Sequence, residues 1–74
     1  MAMCKHSITL HGHRTSYSLE DEFQAELESI ARGRGVPIAR LVNEIDETRP
    51  PEVNLSSAIR LWVLDEVKKR TAKP

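Results

Sequence analysis

The sequence predicts a mainly α-helical fold with one short β-strand, completed when two copies join. Three observations carry this. Arg14-Thr15-Ser16-Tyr17-Ser18-Leu19 alternates as a half-buried strand does. Thr15, Tyr17 and Leu19 fall on one face, and Arg14, Ser16 and Ser18 on the other. After Leu19 the apolar residues recur at helical spacing, so no later segment offers a second strand. A lone strand leaves main-chain N–H and C=O groups without partners. The simplest mate is a second copy of the same strand across a two-fold axis. The expected assembly is an intertwined homodimer held by an intermolecular antiparallel two-stranded ribbon.

Met1 to Lys5 carries no pattern and reads as a frayed start. Ser7-Ile8-Thr9-Leu10 reads as a second short extended piece. Its apolar residues are even-numbered, whereas Tyr17 and Leu19 are odd. Gly12 lies in the gap, where a glycine bulge or a turn at His11-Gly12-His13 would reconcile the two registers. One long bulged strand and a strand preceded by a separate extension both remain open.

Leu19-Glu20-Asp21-Glu22 leads into the first helix, its acids complementing the helix dipole. Ser18 is the expected cap, with Asp21 at a capping-box offset. Phe23, Leu27, Ile30 and Ala31 form one stripe. Arg32-Gly33-Arg34-Gly35 should end the helix, since glycine takes the left-handed conformation readily. Val36-Pro37 starts a second helix, with Ile38, Leu41, Val42 and Ile45 on one face. Pro50-Pro51 ends it. Asn54 caps a third helix, whose apolar face is Leu55, Ala58, Ile59, Trp62, Val63 and Val67. Leu61 and Leu64 widen that face beyond the needs of one subunit. Three segments follow from this layout: an N-terminal extension over 1–13, a core over 14–48, and a Pro-Pro linker with the third helix over 49–74.

The chain has 74 residues and forms one domain at most. A core of that size supplies roughly 3–5 kcal/mol alone, so dimerisation is the expected staple. Cys4 is the single cysteine. With no leader sequence, it points to the cytoplasm. No apolar run approaches the ~18 residues that cross a bilayer. Net charge is zero, from 11 basic and 11 acidic residues, but no acid precedes Glu20. That N-terminal stretch holds Lys5, Arg14 and all three histidines, so a neutral molecule can still carry a basic face.

The order strand, helix, turn, helix, with Arg14 to Phe23, then Leu27, Ile30 and Ala31, the Gly35-Val36 turn, and Leu41-Val42 with Ile45, resembles the ribbon-helix-helix family of DNA-binding proteins. Asn54-Leu55-Ser56-Ser57-Ala58-Ile59-Arg60-Leu61 resembles the added third helix of one subgroup. The resemblance implies a homodimer whose ribbon enters the major groove of double-stranded DNA at an inverted-repeat site. Mapped here, the base readers are Arg14, Ser16 and Ser18. Arginine donates to guanine in a bidentate way, and serine donates or accepts. It also implies a phosphate held at the N-terminus of the second helix, on Ile38, Ala39 and Arg40. Pro37 stands where the family often has serine or threonine. Proline supplies neither hydroxyl nor N–H, so that hold rests on other groups.

The implied role is a transcriptional repressor. The alternative is a dimeric interaction module, an antitoxin or adaptor, with weak or no DNA binding. Arg14, Ser16 and Ser18 could also be a plain solvated strand face. Cys4, His6, His11 and His13 raise a metal reading, with His11 and His13 on one strand face, but their spacing matches no closed site. No metal or cofactor is expected. Acids and histidines lie on different elements and no nucleophile has a base at fixed spacing, so no enzyme is expected.

Overall fold

A computed structural model of the chain describes residues 2–71. The order is β1 (Met3–Leu10), β2 (His13–Glu20), α1 (Asp21–Arg34), α2 (Ile38–Thr48) and α3 (Leu55–Thr71). The strand read from the sequence does have a mate in its own chain. β1 and β2 pair antiparallel, with Leu10 opposite His13 and Met3 opposite Glu20. This corrects two expectations. The partner of Arg14–Leu19 within this ribbon is the preceding segment, not a sister strand. Residues 3–5, which lack any apolar pattern, are strand because they complete that ladder.

The parity change between Leu10 and Tyr17 is the mark of the hairpin. Directly opposed residues share a face, and a two-residue turn pairs even numbers on β1 with odd numbers on β2. The turn places both central residues at positive φ, His11 at 52° and Gly12 at 80°. That is the type I′ geometry which matches strand twist. Of the two readings of this gap, the turn is the one the chain adopts.

Leu10, Tyr17 and Leu19 enter one core with Leu27, Ile30 and Ala31 of α1, Leu41, Val42 and Ile45 of α2, and Ala58, Ile59 and Val63 of α3. Each lies on a face that the sequence marks as apolar, and Thr15 on the same β2 face as Tyr17 and Leu19 stays exposed near the hairpin tip. The third helix is part of this core rather than an appendage.

Helix ends follow local chemistry. Gly35 takes φ 68°, its N–H donating to the Arg32 carbonyl while the Val36 N–H reaches Ala31. These crossed bonds form a Schellman end. Asn54 caps α3 as expected, its Oδ1 accepting from the Ser57 N–H at 2.9 Å. Ser18 does not cap α1. The strand runs on to Glu20, which occupies the cap position without a side-chain bond. The Asp21 N–H instead donates to the Ala2 carbonyl at 3.0 Å. No helix among the described residues is long and apolar enough to cross a membrane.

Candidate nucleic-acid interface

The hairpin has an inner face that enters the core and an outer face that does not. Tyr17 and Leu19 point inward, so Arg14, Ser16, Ser18 and Glu20 point outward. Across the ladder, Thr9 lies opposite Arg14, Ser7 opposite Ser16, Lys5 opposite Ser18 and Met3 opposite Glu20. The structure therefore brings Arg14, Ser16 and Ser18 together on one face. It adds Lys5, Ser7 and Thr9, all exposed, which the sequence reading left out. The even parity of Ile8 and Leu10, joined to a His11-Gly12 turn, was the signal that could have found them.

Two links from α3 set the attitude of this face. The Arg60 guanidinium grips the Glu20 carboxylate with both arms, Nε to Oε1 at 3.0 Å and Nη2 to Oε2. Hydrogen bonds from Arg60 hold the Glu20 carboxyl below the usual carboxylate range, and Glu20 raises the guanidinium in return. The Ser18 main-chain N–H donates to Ser56 Oγ at 2.9 Å. On the inner side, Tyr17 stacks on His6 with ring centroids 5.2 Å apart and donates its hydroxyl to Gln24 Oε1 at 3.0 Å. Burial pushes the Tyr17 phenol up from its ordinary value.

The main chain of β2 has a second edge. Leu10 and His13 close the turn as a hydrogen-bonded pair, and Asp21 to Ala2 continues the same series. The alternate residues Arg14, Ser16, Ser18 and Glu20 therefore turn their main-chain groups away from β1. The Ser18 N–H on that edge is taken by Ser56. At Arg14 and Ser16 the edge stays open among the described residues.

Ile38, Ala39 and Arg40 form the first turn of α2, at the opposite end from Asp46, which faces His11 at the hairpin tip at 3.6 Å. Within one chain these residues and the reading face are thus not gathered at one point. No side chain caps that helix start and no acid lies in its first turn, whereas α1 starts with Asp21 and Glu22. A start of that kind favours an anion. Arg40 is exposed, with Glu44 3.9 Å away.

The four residues of the metal reading are dispersed. Cys4 donates to Asp21 Oδ1 at 3.3 Å, which raises its pKa. His6 lies under Tyr17, and His11 sits in the turn rather than on a strand face with His13. Trp62 is half-buried beneath the Arg34 guanidinium, 5.3 Å from its ring.

A family model described as a ribbon-helix-helix domain matches residues 3–67. No curated protein and no solved structure matches the chain.

Proposed function

The chain belongs to the ribbon-helix-helix family, whose members generally bind DNA as dimers and serve as transcription regulators or antitoxins, and on that premise we propose that it is a homodimeric, sequence-specific DNA-binding repressor. Arg14, Ser16 and Ser18 read base edges in a major groove, which admits a two-stranded β-ribbon. The N–H groups of Ile38 and Ala39 hold a backbone phosphate, with the Arg40 side chain beside them, since the Arg40 N–H donates to the Pro37 carbonyl at 3.1 Å. The two copies meet along the open edge of β2 at Arg14 and Ser16, and the two-fold axis matches an inverted repeat.

The observation that carries this reading is the outer face of the hairpin. Lys5, Ser7, Thr9 and Arg14 are exposed on it, Ser16 and Ser18 are half-buried, and it presents cations among hydroxyl groups at strand spacing. The test is selection of bound sequences from a random DNA pool, followed by titration of the winner at two salt concentrations. A retarded complex, an inverted-repeat consensus and steep salt weakening are expected. No complex at low salt would exclude the DNA role.

A second reading is a protein-interaction module on the same fold. The apolar surface of α3 favours it. Leu61 is 61% exposed and Leu64 48% exposed, each beside a shallow apolar hollow. An antitoxin or adaptor would use that surface.

A further inference from the structure

Zero net charge hides an uneven remainder. Among the described lysines and arginines, the side chains of Lys5, Arg14 and Arg32 make no ion pair or hydrogen bond. Two of them, Lys5 and Arg14, project from the outer face of the hairpin. The acid on that face, Glu20, is neutralised by Arg60. Because the net charge is zero, the rest of the chain carries the balancing excess of acid, while two uncompensated cations lie on this ribbon.

We propose that β1 is a second DNA-contacting strand, with Lys5 as a phosphate anchor and Ser7 and Thr9 as its hydroxyl neighbours. The proposal rests on the reading that β2 enters a major groove beside its symmetry mate. Neighbouring strands lie about 4.8 Å apart. Paired β2 strands then flank the axis at about 2.4 Å, and each β1 lies about 7 Å out. A groove about 12 Å wide has its walls roughly 6 Å from that axis. β1 therefore runs along the sugar-phosphate wall while β2 faces the bases. Lysine suits that place, since its ammonium on a flexible stem acts as a point charge on phosphate without bidentate demands. The anchor also supplies what Pro37 withholds at the start of α2.

Lys5→Ala is measured beside wild type on the selected site and on random DNA across a salt series. Lys5 is exposed on the hairpin, so circular dichroism should be unchanged. Affinity should fall by the same factor on both DNAs, and the slope of log K against log salt should flatten by about 2 per dimer, at ~0.9 per phosphate per chain. Lys5→Arg should restore the slope. An unchanged slope overturns the proposal, whether affinity is also unchanged or falls on the selected site alone, the latter making Lys5 a base reader. If wild type binds no DNA, the underlying reading fails first, and the variant series need not be run to see it.

Discussion

At the scale of single residues, two side chains on β2 do opposite work. Among the described residues the Arg14 side chain has no partner, so its donors are free for an external acceptor. Arg14→Ala should lose about 1–3 kcal/mol of discrimination at one base pair in each half-site, while weakening random DNA much less. Competition binding against single-base variants of the selected site would measure it, and an unaltered preference would remove Arg14 from the readers. Glu20, three pairs along the same face, is consumed by Arg60. Its folded carboxyl titrates below the unfolded value, so the link stabilises the fold fully above the unfolded pKa of about 4.3. That contribution shrinks as pH falls through the folded value. Arg60→Met should therefore narrow the stability difference between neutral and acid pH in urea titrations, and an identical pH profile would sink this account.

At the scale of elements, the ends matter more than the middles. The Schellman end of α1 depends on Gly35 at φ 68°, where a side chain would meet no neighbour. The cost of Gly35→Ala is then torsional alone, about 1–2 kcal/mol. A urea midpoint that does not move would show that this end relaxes without loss. The hairpin depends likewise on His11 and Gly12. His11→Asn should keep or raise stability, because asparagine tolerates the left-handed region better than most residues. This element is also where sequence reading went wrong. The helices were legible because each carries a long apolar stripe between a glycine, proline or asparagine boundary. Of β1 only Ser7–Leu10 was legible as extended, because Met3–Lys5 has no apolar pattern and is strand only by pairing.

At the scale of the whole molecule, one small core serves every element. Leu41 is 1% exposed at its centre. Leu41→Ala should cost about 2–5 kcal/mol, comparable to the ~3–5 kcal/mol a core this small supplies. Thermal unfolding should show a largely unfolded variant, and a melting temperature close to wild type would mean that a second copy carries the stability. The proposed dimer adds a check, since melting should rise with protein concentration when association and folding are linked.

By itself the sequence determined the helices, their ends at Gly35, Pro37, Pro50 and Asn54, the core residues on them, and the placing of Arg14, Ser16 and Ser18 on one polar strand face. These are local matters of periodicity and end chemistry, which act over a turn or two of chain. The tertiary structure alone decided that β1 mates with β2, that Lys5, Ser7 and Thr9 join the same face, and that Glu20 and Ser18 are taken by α3. Those outcomes depend on which distant groups meet, and pairing energies between remote segments leave no periodic trace in either segment alone.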